Sequence, residues 1–423
     1  MASCLFELEY SVGGTVTGLK GTGLVLQDNS RDDLRVDSNG GFRFSSRVAK
    51  DKTYLVSVKT QPSNPAQTCT VRDGSGTIAK ANVTSVVVSC SQAGRYAYVA
   101  NGTAGTISAL SINSASGFLT PVAGSPFASA GAAPVALAVD PNGAFLYVAN
   151  NASNTVGIFA INDATGALTV TDFAIAAGVG PAALCLDPTG RYLYVANSGA
   201  NTVSAFAVQN GVATPVSGSP FAVGNQPVAL QTDPSGNFLY VTNFADGTVT
   251  VLAIDGTTGA LTGVSGSPFG AGAGAAAIAV DPAGAFAYVA NQTAATISAF
   301  SIDQSSGALN ASGSPLSTAS APRSVAVDPA GNFVYAANVT SANDVAVYAI
   351  APSSGLLTLS STSVAGSLPA AVAVDPSGQF VYAANQNSGS VSVFSVDTAT
   401  GALAAVAGSP FLAGSGARSI AID

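Results

Sequence analysis

One repeated segment dominates this chain and restricts what it can fold into. "DPNGAFLYVANNASNTVGIFAINDATGAL" at 140–168 returns in slightly altered form at 281–309 and at 375–403. A Tyr-x-x-Asn motif within it occurs seven times, at intervals of 46 to 49 residues. Its tyrosines are Tyr98, Tyr147, Tyr194, Tyr240, Tyr288, Tyr335 and Tyr382. A period of this length is typical of solenoids and propellers.

Each copy of the repeat contains four short runs with the composition of β-strands. In 322–359 they are "PRSVAVDP", "NFVYAANV", "DVAVYAIA" and "GLLTLSS". Four strands per repeat predict a propeller blade. The first copy opens at "RYAYVAN" without its Asp-Pro strand, and the chain stops at "ARSIAID", which has the sequence of that strand. We therefore predict an all-β fold in which 95–423 form a seven-bladed β-propeller closed by the C-terminal strand.

The part of the chain before the repeats has a different pattern. Residues 10–91 alternate apolar and polar residues in about seven short runs separated by turns, which predicts a small β-sandwich of the Ig-like or prealbumin-like kind. Residues 1–9 are left as an N-terminal tail. Cys69 and Cys90 lie in two of the β-rich runs, and we expect them to form a disulfide. Two unpaired core thiols are the alternative.

Composition and charge exclude several classes of function. No stretch reaches eighteen uninterrupted apolar residues, so no membrane span is predicted. Residues 95–423 hold four Arg and fourteen Asp but no Lys, Glu or His, and such a surface repels nucleic acid. The first ten residues lack the basic and apolar regions of a signal peptide. We expect an extracellular, cell-surface or periplasmic protein whose signal is absent from this sequence, and Cys4 is left open as a lipid anchor, a free thiol or a bridged one.

The motifs "YVAN", "TVSAF", "TGAL", "GSPF" and "AVDPSG" together resemble the seven-bladed lactonase propellers, the family of 6-phosphogluconolactonase and its bacterial relatives. The resemblance covers 95–423. The preceding domain resembles small β-sandwich modules that precede propellers in exported bacterial proteins. These motifs build blades, so the resemblance implies the fold more firmly than an activity. It also implies that an active member would use Arg together with His or Glu near the channel.

Few side chains in the predicted propeller could carry chemistry. Without His, a Ser–His triad or a His-based metal site is not possible, and no cofactor or metal is expected. Arg323 and Arg418 each open an innermost strand and are candidate catalytic residues. Asp246 and Asp344 lie in loops between the second and third strands and are candidate carboxylates. The aspartates that precede proline in each copy are interpreted as turn residues.

Three functions follow from these observations. The first is a non-catalytic exported or cell-surface module that binds a partner or assembles in an extracellular matrix or filament. The second is a lactone hydrolase that uses Arg323, Arg418 and an aspartate. The third is a protein that binds a glycan or another small ligand. Absence of the usual catalytic side chains favours the first. Leu5, Phe6 and Leu8 would leave apolar groups in water in a free tail, so we also predict a homo-oligomer or polymer formed through 1–9. The alternative is a tail that folds onto its own sandwich as an ordinary first strand.

Overall fold

The structure, a computed structural model of the chain, describes residues 8–19, 21–62, 67–92, 95–171, 174–340 and 343–423. Strands and turns account for the secondary structure of these residues. Within them, no helix is long and apolar enough to cross a bilayer. The chain divides into two compact units, Met1–Ala93 and Gly94–Asp423, which are described separately.

The first unit contains eight strands in its described part. They are β1 (Glu9–Thr17), β2 (Leu24–Asp28), β3 (Asp32–Val36), β4 (Gly40–Ala49), β5 (Thr53–Thr60), β6 (Gln67–Arg72), β7 (Ser75–Thr77) and β8 (Val83–Gln92). One four-stranded sheet has the order β4-β1-β8-β6, and the other has the order β3-β2-β5-β7. The run "LRVDSNGGFRF" forms two strands, β3 and β4, because the turn residues in its middle interrupt the ladder.

Both sheets of the first unit contribute to one buried core. Val12 of β1 and Val88 of β8 are fully buried with Leu24 and Leu26 of β2. Cys69 of β6 and Cys90 of β8 lie opposite each other in the antiparallel ladder and are joined by a disulfide in the same core. The alternating burial along β2 and β5 follows from the period of two residues in a strand.

The second unit is a seven-bladed propeller, as the repeat predicts. The inner strands of blades 1 to 7 are Ala417–Ile422, Pro134–Val139, Pro181–Leu186, Pro227–Thr232, Ala275–Val280, Pro322–Val327 and Pro369–Val374. The second strands are Tyr96–Asn101, Phe145–Asn150, Tyr192–Asn197, Phe238–Asn243, Phe286–Asn291, Phe333–Asn338 and Phe380–Asn385. The third strands are Thr106–Ile112, Thr155–Ile161, Thr202–Gln209, Thr248–Ile254, Thr296–Ile302, Asp344–Ile350 and Ser390–Val396.

The outer strand is broken into two pieces in every blade but the sixth. In chain order the pieces are Leu119–Pro121 and Phe127–Ala128, Leu168–Val170 and Ile175–Ala176, Val212–Pro215 and Phe221–Ala222, Leu261–Gly263 and Phe269–Gly270, Leu309–Ala311 and Leu316–Ser317, the single Leu357–Val364, then Leu403–Ala405 and Phe411–Leu412. In blade 1 the Ser125 hydroxyl of "GSPF" fills the break, because it accepts a hydrogen bond from the third-strand N–H of Ala109 at 3.0 Å. The equivalent serines in blades 3, 4 and 7 do the same.

The two ends of the repeat region meet in blade 1. The C-terminal strand pairs antiparallel with Tyr96–Asn101, with Ile420 opposite Val99. The Asp423 carboxylate accepts hydrogen bonds from the backbone N–H groups of Arg95 and Tyr96 at 2.8 and 2.9 Å. The aspartate that precedes proline accepts a hydrogen bond of the same kind in the other blades. In blade 2, for example, Asp140 Oδ1 accepts it from the backbone N–H of Phe145 at 2.7 Å. These aspartates therefore cap backbone donors at the turn.

Candidate functional site

The inner strand of every blade carries a β-bulge near its first residue. In blade 6, Pro322 pairs with Asn338 and Ser324 pairs with Ala337, so Arg323 has no partner in the ladder. In blade 1, Arg418 is skipped in the same way between Ala417 and Ser419. A bulge redirects the side chain of the extra residue. The seven bulged residues are Val135, Ala182, Val228, Ala276, Arg323, Ala370 and Arg418.

These seven bulged residues surround one cavity of about 570 Å³. Since each blade contributes its bulged residue, this cavity is one mouth of the central channel. A second set of lining residues follows the Asn of the Tyr-x-x-Asn motif, where the second strand ends. It comprises Asn151, Ser198, Phe244 and Gln292. The cavity is within the size range of pockets for small molecules.

The charge of the cavity is positive, although the propeller as a whole is acidic. Arg323 and Arg418 are the charged side chains among its lining residues, and both are half-buried. Within the described part of the chain, neither forms an ion pair with a carboxylate. Burial lowers the pKa of Arg323, and the nearby charge of Arg418 lowers it further. A guanidinium group is a permanent cation in proteins, so the pair can attract an anionic ligand.

A neutral side chain orients one of these arginines. Arg323 Nη1 donates a hydrogen bond to Gln386 Oε1 at 2.9 Å. Gln386 follows the second strand of blade 7, which lies between blades 6 and 1 in the ring. The two arginines therefore flank blade 7, whose own bulged residue is the small Ala370. An amide fixes the guanidinium without neutralising its charge.

The other two arginines of the propeller have structural partners. Arg95 Nη2 contacts Asp163 Oδ1 at 2.5 Å, and Arg191 Nη2 donates to the carbonyl of Gly256 at 2.8 Å. Each also stacks on the tyrosine that follows it in the chain. Neither lines the channel cavity, which leaves Arg323 and Arg418 as the pair available for binding.

Asp344 and Asp246 lie away from the arginine pair. Asp344 is the first residue of its third strand, where five of the other blades have Thr and one has Ser, and its Oδ1 accepts a hydrogen bond from Asn338 Nδ2 at 2.7 Å. Asp246 accepts hydrogen bonds from the backbone and side chain of Asn225 at 2.6 and 2.8 Å, and these lower its pKa. Neither carboxylate is among the residues that line the arginine cavity.

The predicted self-association residues lie in the first unit. Leu5 and Phe6 fall outside the described residues, as does Cys4. Leu8 is described, and 65% of its surface is exposed.

Sequence reasoning missed the amides and the aromatic ring around the cavity. Gln386, Gln292 and Phe244 occupy one position of the repeat, directly after the Asn at the end of the second strand. The sequence did contain a sign of this position. The residue after the Asn differs between the blades, whereas the Asn is the same in all seven copies, so the blade structure does not fix the residue there. In the described ranges, no group of three His, Cys, Asp or Glu side chains is placed to hold a metal ion.

The fold and the channel define a class: a seven-bladed propeller with a cationic pocket at the mouth of its central channel. The chain matches the family model "Lactonase, 7-bladed beta-propeller" over residues 53–180, 171–268, 264–372 and 342–416. These segments cover most of the chain, and the protein therefore belongs to this lactonase family. No curated protein matches the chain.

Solved structures agree on the fold. A Bacteroides uniformis protein with a provisional assignment as a 6-phosphogluconolactonase is 21% identical, with a TM-score of 0.68 over 78% of this chain and 99% of that one. A Bacteroides fragilis protein with the same provisional assignment is 19% identical, with a TM-score of 0.68 over 78% and 97% of the two chains. The periplasmic gluconolactonase PpgL of Pseudomonas aeruginosa is 19% identical, with a TM-score of 0.65 over 77% and 98%. Identities this low establish the shared fold alone.

The family membership corrects the first functional prediction. A non-catalytic exported or cell-surface module was the wrong interpretation, and the match to the lactonase family favours the lactonase-like alternative. The error came from equating the absence of His and Glu with the absence of catalysis. Charged donors such as arginine can stabilise the oxyanion formed from a carbonyl group, so the absence of His and Glu does not exclude a hydrolase.

Proposed function

We propose that this propeller hydrolyses lactones in the channel cavity that contains Arg323 and Arg418. The observation that carries the proposal is the pair of half-buried guanidinium groups that have no carboxylate partner among the described residues. Charged donors of this kind in a pocket are suited to a carbonyl oxygen that becomes negative during reaction. Membership of the lactonase family supports the same reaction class.

The reaction requires little of the protein beyond this charge. A water oxygen adds to the lactone carbonyl carbon and gives up one proton to the solvent, and the carbonyl oxygen becomes an oxyanion that Arg323 and Arg418 stabilise. The ring C–O bond then breaks and the ring oxygen takes up a proton from the solvent. The new carboxyl group releases its proton, so the product is a hydroxy acid whose carboxylate lies near the arginines, with one net proton released. The hydrogen bond that Arg323 donates to Gln386 Oε1 orients its guanidinium group at the cavity wall. Removing one donor to an oxyanion typically costs about 10²- to 10³-fold in rate.

Arginine substitutions test the proposal directly. We expect Arg323→Ala and Arg418→Ala each to lower kcat/KM for D-glucono-1,5-lactone by at least tenfold, and the double variant to lose measurable activity. Arg191→Ala is the matched control, because it removes the same charge at a residue bonded to Gly256 and outside the cavity. The initial rate of acid release at constant pH is the assay. Absence of hydrolysis by the parent protein, or full activity of the double variant, would contradict the proposal.

We also propose that the protein works outside the cytoplasm, in the periplasm or beyond. The Cys69–Cys90 disulfide supports this location, because such bonds persist in oxidising compartments. The similarity to a periplasmic gluconolactonase is consistent with it. Fractionation of the native cells, with the chain detected by antibody, is the test, and recovery in the cytoplasm with both thiols reduced would exclude the proposed location.

A further inference from the structure

A second cavity adjoins the arginine cavity on the same face of the propeller. The second cavity has a volume of about 600 Å³ and shares Gln226 and Phe244 with the first. Its own lining includes Asp246, the glycine-rich segment 270–274 and Thr293. The shared residues place Phe244 at the junction of the two spaces.

Blade 4 departs from the repeat at the two positions that shape this junction. Phe244 directly follows the Asn that ends the second strand, where the other blades have Gly, Asn, Ser, Gln or Val. Asp246 lies two residues further on, where the aligned loops have Ala or Ser. Neither side chain is needed to build a blade, since the other blades form without it. Asp246 Oδ2 accepts a hydrogen bond from the Asn225 N–H, as the Ser153 hydroxyl accepts one from the Ala132 N–H in blade 2, and only Oδ1 of Asp246 adds a contact, to the Asn225 side chain.

The groups at this junction match the surface of a sugar ring. A half-buried phenyl ring offers an apolar face, and the faces of pyranose rings carry C–H groups that pack on aromatic rings. The edges of a sugar carry hydroxyl donors. Asp246 is exposed, and each of its oxygens accepts one hydrogen bond from Asn225, which leaves a further lone pair on each. The exposed hydroxyl of Thr293 is a second polar group on the same wall.

Two glycines of the second cavity are fixed by packing against blade 5. Gly272 cannot accept a side chain, since a Cβ there would lie 2.7 Å from Cγ of Asn291. Gly274 has a φ of +73°, and a Cβ there would lie 2.2 Å from the Thr293 hydroxyl oxygen. The glycine-rich wall is therefore part of the blade architecture, and the side chains available to a ligand beside it are Phe244, Asp246 and Thr293.

We propose that Phe244, Asp246 and Thr293 form a glycosyl subsite, so that the preferred substrates are lactones of disaccharide acids. The lactone ring occupies the arginine cavity, and the attached sugar lies over Phe244 with its hydroxyl groups toward Asp246 and Thr293. This inference rests on the proposed lactonase function. A monosaccharide lactone would occupy the first cavity only and would leave the second cavity to water.

The test compares D-glucono-1,5-lactone with cellobiono-1,5-lactone. We expect kcat/KM to be about tenfold higher for the disaccharide lactone, from ring packing and added hydrogen bonds. Phe244→Ala should bring the ratio of the two kcat/KM values close to one, whatever its effect on gluconolactone alone, because Phe244 lines both cavities. Asp246→Asn should reduce the advantage in part. Val339→Ala is the matched control, because Val339 holds the same repeat position in blade 6 and does not line either cavity.

The outcomes separate this inference from the proposed function. Equal kcat/KM for both lactones, unchanged by Phe244→Ala, would overturn the glycosyl subsite and leave the lactonase proposal standing. If the parent hydrolyses neither lactone, the glycosyl subsite is tested by binding instead. The affinities of the parent protein for cellobionate and for gluconate are then measured by calorimetry. Tighter binding of cellobionate that Phe244→Ala abolishes would support the subsite, and equal or absent binding would overturn it. Melting curves of every variant check that the fold is intact.

Discussion

Replacing Gln386 by Glu puts a negative charge beside Arg323 and leaves the size and shape of the side chain nearly unchanged. The wild-type amide oxygen accepts the Arg323 Nη1 hydrogen bond at 2.9 Å and leaves the guanidinium charge uncompensated. A carboxylate there would pair with Arg323 and would repel an oxyanion bound beside the same guanidinium group. At an effective dielectric constant of about 20, two like charges about 6 Å apart repel by about 3 kcal/mol. Solvent in the open cavity screens part of this repulsion.

We therefore expect Gln386→Glu to lower kcat/KM for glucono-1,5-lactone between about tenfold and a hundredfold, and the loss to shrink as salt is added. Gln386→Ala removes the hydrogen bond without adding charge and should cost only a few-fold. Gln304→Glu controls for net charge, since Gln304 is exposed and bonds only the carbonyl of Ala283 among the contacts described. Parental activity in Gln386→Glu, with an unchanged melting curve, would refute the electrostatic role of the arginine pair.

Three further predictions concern stability and assembly. Replacing Cys69 and Cys90 by Ala should lower the free energy of unfolding of the first unit by about 3 kcal/mol, because the bond closes a loop of 21 residues in sequence separation; urea unfolding showing less than about 1 kcal/mol would contradict this. Burial raises the pKa of Asp423, so the stability linked to this carboxyl group should be complete below its unfolded pKa and should decline as the pH rises through its folded pKa. Asp423→Asn should flatten that part of a plot of melting temperature against pH, and an unaltered slope would argue against it. Finally, we propose that the protein self-associates through 1–9, so the full chain should form larger particles in light scattering than a chain that begins at Tyr10; monodisperse monomers of both would end the idea.

The repeat made the propeller predictable because its structural residues act within one blade. The spacing of Tyr98 and its six equivalents predicts the number of blades, and all seven rings are fully buried. Each aspartate before a proline caps the next strand only a few residues away, as Asp375 does for Phe380 N–H. Contacts of such short range are visible in a single copy of the sequence.

The site was predictable only in part, because it depends on contacts between blades. The position of Arg323 and Arg418 at the start of inner strands suggested the channel, but the bulge that frees their side chains leaves no mark in the sequence. The bond from Arg323 to Gln386 joins residues of different blades, 63 positions apart. Asp344 was a plausible carboxylate as long as its strand position was unknown. The structure shows it in the role of a blade-building Thr.

The cavity is positively charged while the rest of the propeller is acidic, and this difference should affect how fast an acid product leaves. In the proposed reaction, the lactone of a neutral sugar is uncharged, whereas the acid formed from it is a carboxylate. Residues 95–423 hold fourteen Asp against four Arg, so the surrounding field opposes an anion while the arginine pair attracts one. A strong cation cluster in a basic protein would retain the acid product. Two arginines within an acidic ring can stabilise the short-lived oxyanion at close range, and the longer-range repulsion by the ring favours release of the acid.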